Sequence, residues 1–427
     1  MKKLKQLFKK NILFRYVTTF LCVILIVSSL LILEKTIPNN RVKDNIIKSE
    51  GYYQDYFEGV FGNLNNLKTR HNTVDITADI WHLSMLYFED NKHPVKEFIE
   101  MNKDSQSAIN ISHGGHLKDM KIDSDYSRYW HGHLIVLKPL LTFFTMNTIY
   151  KLYFCILVIV FCILLVSIIK HSKLLAVILT LGAVSINIFF TSHCDNFFHV
   201  TMISLLSSII IIKMYERKSK NVDLLFLING TLTACFDMLS TGTLPVTLPL
   251  FIYIYLHILD NKKIKFKTIL KYILLWLLGG MFAYIVKWII LVIHYNGGFR
   301  EHVLGQMELR TGSGDQGRLT VFISSIYGVL QYIFPYDLQV LKLIIIGIGL
   351  LSFIYVLKDK KNKNNYIYLL VICLIPFIRY YFLAQHSDYH NYYTYRAFLP
   401  NIMFILLFIS LAFIEIKKEL TKPVNKK

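Results

Sequence analysis

Uninterrupted apolar blocks of roughly 17–25 residues recur along this chain, and that is the length an α-helix needs to cross a bilayer. Inside a hydrocarbon layer each backbone N–H and C=O must be bonded within the protein, so such blocks leave helices as the workable fold. A hydrophobic fraction of 54% over 427 residues agrees, as does a mean hydropathy of +0.43. The spacing predicts an all-α polytopic transmembrane bundle. Its first helix is expected near 13–33, and further spans near 150–169, 174–191, 199–214, 224–240, 243–259, 269–293, 341–357, 366–384 and 397–415. That makes about ten spans.

The formal net charge of +19 raises nucleic acid as a partner, but the placement of the charges points elsewhere. Lys and Arg gather in short links between apolar blocks, as in "MKKLKQLFKK", "KMYERKSK", "DNKKIKFK", "KDKKNKNN" and "IKKELTKPVNKK". Basic short loops mark the cytoplasmic face, so no nucleic-acid role is expected. With the first cluster inside, every other cluster also falls inside, and both termini are cytoplasmic. The stretch "YVTTFLCVILIVSSLLIL" follows a basic segment like a signal peptide, yet no small-x-small cleavage pattern comes after it, so it reads as an uncleaved first helix. The six cysteines form no C-x-x-C pair, which argues against a thiolate metal site.

The resulting organisation has a basic N-terminus and first span (1–33) and an extracytoplasmic segment (34–149). A helical bundle (150–415) with an outer loop near 294–340 follows, then a basic cytoplasmic tail (416–427). Two apolar segments are too short or too interrupted to be spans. They are "HLIVLKPLLTFF", which carries Lys138-Pro139, and "LTVFISSIYGVLQYIFPY". Both are expected as helices on the outer membrane surface, the first over 133–149.

This topology pools ionisable residues at the outer ends of the spans. "SHCDNFFH" (192–199), "FDMLSTGT" (236–243), "HSDYHNYYTYR" (386–396) and "DYSRYWHGH" (125–133) all fall there. Polar residues at membrane depth are costly and usually line a cavity, so four such stretches at one level suggest one site. The spacings His386, Asp388, His390 and His193, Asp195, His199 also resemble metal ligation, which leaves room for a divalent metal such as Mg2+ or Mn2+. In the outer segment, "NTVDITADIWHLSMLYFED" reads as a helix capped by Thr77, with Ile80, Leu83, Ser84 and Phe88 on its apolar face. Asp75 and Asp79 would share one face near its positive end. Arg300, Arg310 and Arg318 lie outside, against the charge rule, and either bind an anion or pair with Glu301, Glu308 and Asp315.

"DYSRYWHGHLIVLKPLL" and "HSDYHNYYTYR" resemble a group of bacterial polytopic membrane proteins that share the broad plan of the GT-C glycosyltransferases. That plan is a first helix, a large outer loop with carboxylates, surface helices and a bundle of spans. The resemblance implies transfer of a sugar from a polyprenyl-phosphate donor to a cell-envelope glycan acceptor, at the outer face of the plasma membrane. It also implies an outer-loop carboxylate as base. The matching positions are Asp75 and Asp79, with Asp123 and Asp125 as rivals. The chemistry needs a base for the acceptor hydroxyl, cations for the phosphate and a groove for the lipid. Arg128, His131, His193, Asp195, His386, His390, Tyr393 and Arg396 are the candidates around the phosphate, and Trp81, Trp130 and Tyr393 the candidates to stack on a sugar. A polymerase or ligase of lipid-linked glycans would lean on outer Arg and His instead of an Asp base. A flippase would need broken helices with midplane charges, for which Asn229 and Lys287 are the available residues.

Sidedness has a direct check in a chain whose native cysteines have been replaced. A single cysteine at Ser105 should react with a membrane-impermeant thiol reagent in intact cells, and one at Ser219 should not. The reverse labelling would turn the topology inside out.

Overall fold

The computed structural model describes residues 11–61, 75–297, 303–312 and 316–421. Arg300, Glu301, Asp315, the basic first ten residues and 422–427 lie outside these. Helix α1 (Ile12–Lys35) starts at Asn11, whose side chain accepts the Phe14 N–H at 3.0 Å. The stretch after α1 then folds as short helices: α2 (Asn40–Lys48), α3 (Glu50–Phe61), α4 (Ile76–Phe88), α5 (Pro94–Glu100) and α6 (Ser107–Ser112). A small hairpin pairs β1 (Asn102–Lys103) antiparallel with β2 (Ser124–Asp125). After it come α7 (Leu134–Leu141), α8 (Met146–Ile169), α9 (Lys173–Ser185), α10 (Asp195–Glu216), α11 (Val222–Phe236), α12 (Leu244–Leu259) and α13 (Phe266–His294). The chain closes with α14 (Gly305–Thr311), α15 (Arg318–Tyr332), α16 (Gln339–Val356), α17 (Lys363–Phe382), α18 (Ala384–Tyr389), α19 (Asn391–Thr394), a 3-10 turn Tyr395–Phe398 and α20 (Leu399–Leu420).

The protein is nearly all helical. Seven helical stretches among the described residues are long and apolar enough to cross a membrane: α1, α8, α10, α13, α16, α17 and the continuous run Asn391–Leu420. Helices α9, α11 and α12 are apolar but shorter. The ten expected apolar blocks are therefore all helices. The block expected over 174–191 breaks early: α9 stops at Ser185 and a 3-10 turn, Ile188–His193, leads into α10. The surface helix expected over 133–149 is shorter than predicted. Only Leu134–Leu141 is α7, and Met146–Ile149 is already the first turn of α8. Thr77 does not cap α4. Asp75 does, its Oδ1 accepting the Ala78 N–H at 3.2 Å.

Two kinds of contact hold the bundle together. Small residues let α11 and α13 touch backbone to backbone. A Cβ on Gly230 would sit 1.9 Å from the Trp276 carbonyl oxygen, and one on Gly279 would sit 2.5 Å from that of Leu227. Lipid tails are as apolar as leucine, so close packing of this kind supplies attraction that burial alone does not. Polar groups supply the rest. Asn229 accepts the Ser207 hydroxyl at 2.6 Å and donates to the Pro245 carbonyl at 2.8 Å. The Lys287 ammonium donates to the Phe98 carbonyl at 3.1 Å and lies over the Phe98 ring, which ties α13 to the outer segment. Both candidate midplane residues thus have structural partners.

The outer segment is fastened by a buried quartet of charges. Lys35 ends α1, Glu89 caps α4 and Lys138 lies in α7; both ammoniums bond to the Glu89 carboxylate. Glu34 adds ion pairs at 3.3 Å to Lys35 and 3.8 Å to Lys138. All four are buried, two lysines against two glutamates. Lys138 is what interrupts an otherwise apolar block, and its ammonium is a bridge between three elements.

The quartet predicts an order of effects. Glu89 makes the hydrogen bonds, whereas the Glu34 carboxylate oxygens make none. Removing one partner of a buried pair strands its counterpart, at a cost of about 3–5 kcal/mol. Glu89→Gln should therefore lower the melting temperature of the detergent-solubilised protein much more than Glu34→Gln. Equal shifts would show that Glu89 is not the centre of the quartet.

Candidate functional site

The links near residues 170–173, 216–221, 260–265 and 357–362 carry basic clusters. The opposite ends of the same helices carry the aspartates, histidines and arginines of interest: the starts of α10, α12 and α20, and the ends of α11, α13 and α17. The stretch of short helices between α1 and α7 packs over these ends and brings four sequence stretches into one region.

Asp79 and Asp195 form the floor of this region. Asp79 is buried and accepts the Asp195 backbone N–H at 3.1 Å on both oxygens, and the Tyr150 hydroxyl at 2.5 Å. It therefore stabilises the exposed N–H groups and positive end of α10 from a different segment. Asp195 accepts the Tyr153 hydroxyl at 2.7 Å, and its Oδ2 lies 3.4 Å from His133 Nδ1. Asp75 differs from both. It is half-buried at the start of α4, and its electrostatic neighbours are Asp79 and Arg310. Burial raises its carboxyl to about 6. Asp125 closes the hairpin, accepting the Ser127 N–H at 3.1 Å and the Ser127 hydroxyl. Asp123 is exposed and holds the Ser105 N–H at 2.8 Å.

A cleft of about 180 Å³ is lined by Arg128, Tyr129, Leu239, Tyr284, Trp288, Val303, Met307, Arg310, Thr311 and Leu383. The Arg128 guanidinium lies over the Tyr126 and Tyr129 rings at 4.4 and 5.2 Å. Arg310, from α14, donates to His386 Nδ1 at 3.0 Å. His386 then donates from Nε2 to the Leu239 carbonyl at 2.9 Å, and Arg379 donates to that same carbonyl. Leu239 presents its oxygen this way because its φ is +65°, a conformation a branched side chain rarely adopts. Among the described residues no carboxylate lies in ion-pair contact with Arg128, Arg310 or Arg379. Two guanidiniums thus line the cleft without carboxylate partners among the described residues, and Arg379 reaches the Leu239 carbonyl beside them.

The histidines do not add to this charge. Burial and the neighbouring guanidiniums hold His386 well below its ordinary range, and His390 at about 3. Both are neutral, and His390 packs against His386 and Tyr393. Arg396 lies outside the cleft lining. It is fully buried over the Tyr395 ring, and none of its guanidinium nitrogens has a hydrogen-bond partner. Tyr393 is buried against Phe197. Trp130 is buried, donating to the Ala283 carbonyl at 3.0 Å, and the face of Trp81 is covered by the Lys103 ammonium at 3.9 Å. Of the aromatic residues near the cleft, Tyr129, Tyr284 and Trp288 face it instead. Arg318 bonds to the Thr311 carbonyl at 2.9 Å, and no acid among the described residues pairs with it.

Neither histidine spacing that resembled metal ligation gathers. Asp388 faces Ser325 at 3.4 Å while His386 faces Arg310. His193 stacks half-exposed on Phe190, apart from the buried Asp195 and His199. A different trio converges: His82 of α4 with His131 and His133, all buried, their ring nitrogens within 4.8 Å of one another. Sequence reasoning named His131 and missed His82 and His133; the signal available was the H-G-H of "RYWHGH". His131 adopts φ +55°, and Gly132 between the two donates its N–H to the Cys235 carbonyl at 2.8 Å.

Comparison with known proteins returns no matching protein family, no matching curated protein and no matching solved structure.

Gly132 is where this geometry can be broken. A Cβ there would lie 2.8 Å from the Cys235 oxygen and 2.9 Å from the Phe236 ring. Overpacking of this kind costs about 1–3 kcal/mol. Gly132→Ala should lower the melting temperature, while Gly51→Ala, where a Cβ meets open space, should lower it far less. A Gly132→Ala protein as stable as its parent would mean the turn has room to move.

Proposed function

We propose that this chain is a polytopic membrane glycosyltransferase of about ten spans, its seven long helices and three shorter apolar ones all crossing. In this reading both termini are cytoplasmic and the site opens to the outer face of the plasma membrane. The donor is a sugar on a polyprenyl phosphate, and the acceptor is a cell-envelope glycan. The observation that carries it is the cleft in which Arg128 and Arg310, with Arg379 nearby, stand among apolar walls without a carboxylate partner among the described residues. A phosphate with a long hydrocarbon tail matches both properties. Planar guanidiniums bind phosphate oxygens two at a time, and Leu239, Trp288, Val303, Met307 and Leu383 give the tail an apolar lining.

Asp75 is the base in this scheme. The acceptor hydroxyl oxygen attacks the anomeric carbon, the carbon–oxygen bond to the phosphate breaks, and the hydroxyl proton passes to Asp75. The polyprenyl phosphate leaves with the bonding pair, its charge held by Arg128 and Arg310. Asp79 is less suited, because its two oxygens already accept from Asp195 and Tyr150. The groups that face Asp75 electrostatically include Asp79, Arg310, Cys194, Tyr392 and Tyr393. A carboxyl raised to about 6 is a competent base above that pH and loses the role as it protonates below it.

The test is release of polyprenyl phosphate from a polyprenyl-phosphate-linked hexose by the purified protein in nanodiscs. Asp75→Asn keeps the cap and should lose about 10²–10⁴ in rate with an unchanged melting temperature. The parent's kcat/KM should fall as pH drops through about 6. Arg310→Ala should weaken binding of farnesyl phosphate. Parent-like turnover by Asp75→Asn would shift the assignment to the polymerase or ligase chemistry that relies on arginine. No turnover by the parent, with lipid translocation instead, would make it a flippase.

A further inference from the structure

Behind the basic cleft, separated from it by the Tyr126 and Tyr129 rings, is the histidine trio. The His82 and His133 rings meet edge to face at 4.0 Å, and the His131 and His133 rings stack at 5.5 Å. The three are at most 1% exposed. Among the described residues His131 Nδ1 and His133 Nε2 have no hydrogen-bond partner, while His82 Nδ1 and His133 Nδ1 only face carboxylates at 3.6 and 3.4 Å. Buried polar atoms in native proteins are nearly all satisfied, so two orphans in one cluster call for a cause.

We propose that His82, His131 and His133 bind a divalent transition-metal ion, of which zinc is the best match. Three observations converge on this. The first is proximity. Ligand nitrogens on a tetrahedral zinc stand about 3.3 Å apart for bonds near 2.0–2.1 Å, and one nitrogen from each of these rings lies within 4.8 Å of the others. The second is outer partnering. A metal-bound imidazole typically donates its other N–H to a carboxylate or carbonyl. His131 Nε2 donates to the Tyr126 carbonyl at 2.8 Å, which leaves Nδ1 for the metal. His133 Nδ1 is 3.4 Å from Asp195 and His82 Nδ1 is 3.6 Å from Asp79, which leaves the Nε2 of each. The third is backbone strain at His131, a feature that persists where the surroundings hold a functional geometry.

The donor set also decides the metal class. Mg2+ and Mn2+ favour oxygen, whereas imidazole suits zinc, copper, iron and nickel. Met238 Sδ, 3.0 Å from His82 Nε2, is a flexible thioether that turns aside or joins the coordination shell. Such an ion would pin α4 to the turn before α7 and hold Tyr126 and Tyr129 against Arg128. This site does not depend on the transferase reading, and its test needs no substrate.

The full-length protein, purified in detergent, is stripped with a chelator and then given Zn2+ or Co2+ alone. About one equivalent of zinc should survive desalting, and Co2+ should give the visible absorption of a tetrahedral nitrogen site. Zinc should also raise the melting temperature of the unsubstituted protein, so support does not rest on variants that fail to fold. His133→Asn should abolish retention, and Asp195→Asn should weaken zinc affinity about 10–100-fold. His386→Asn with His390→Asn should retain the parent amount. The proposal is overturned if the parent retains no zinc and shows no cobalt absorption. It is equally overturned if folded His133→Asn keeps its metal or the His386/His390 double variant loses it.

Discussion

Two lysines and two glutamates, cut off from water, meet where the first span, the outer segment and α7 come together. An ion pair in a dry interior is costly unless geometry is good and charges balance. Here both ammoniums converge on the Glu89 carboxylate, and that convergence ties the three elements together. Lys35 cannot be buried unless Glu89 arrives, and Glu89 arrives only if α4 docks. Once α4 is docked, Asp79 reaches the N-terminus of α10 and His82 reaches the H-G-H turn. The placement of Asp75 beside the basic cleft is downstream of the same contact.

The protein thus separates two kinds of charge. In the quartet every cation has an anion, and the result is rigidity. In the cleft, Arg128 and Arg310 have none among the described residues, nor has Arg379 beside them, and they are held instead by aromatic faces, a neutral histidine and a carbonyl oxygen. Guanidiniums stay charged in such surroundings, so the cleft keeps a standing attraction for an anion. That contrast is what supports a phosphate-handling role more than any single residue does.

Much of the fold was legible. Ten apolar blocks are ten helices, because hydrophobic length and helix length are physically tied. Lys138-Pro139 correctly marked its block as something other than a span, although Lys138 is there for a buried bridge. The site was legible only as a neighbourhood. Asp75 and Asp79, four apart, read as equals, and only the tertiary contacts from Tyr150 and Asp195 distinguish them. Short histidine spacings misled for the same reason. Residues two or four apart in a loop have no set geometry, while His82 and His133, distant in sequence, touch. Arg379 was overlooked because it lies in an apolar block, where an arginine reads as a flank.

Many of these cations and rings are read by main chain. The carbonyls of Leu239, Tyr126 and Phe98 serve Arg379 and His386, His131, and Lys287 respectively, and Lys342 is held by the Leu330, Ile333 and Tyr336 carbonyls. A carbonyl is supplied by any residue. The partner positions are therefore free to drift during evolution while the charged side chain stays put. Paired substitutions, the usual trace by which distant contacts betray themselves across species, would be faint around this cleft and much stronger around the quartet, where side chain meets side chain.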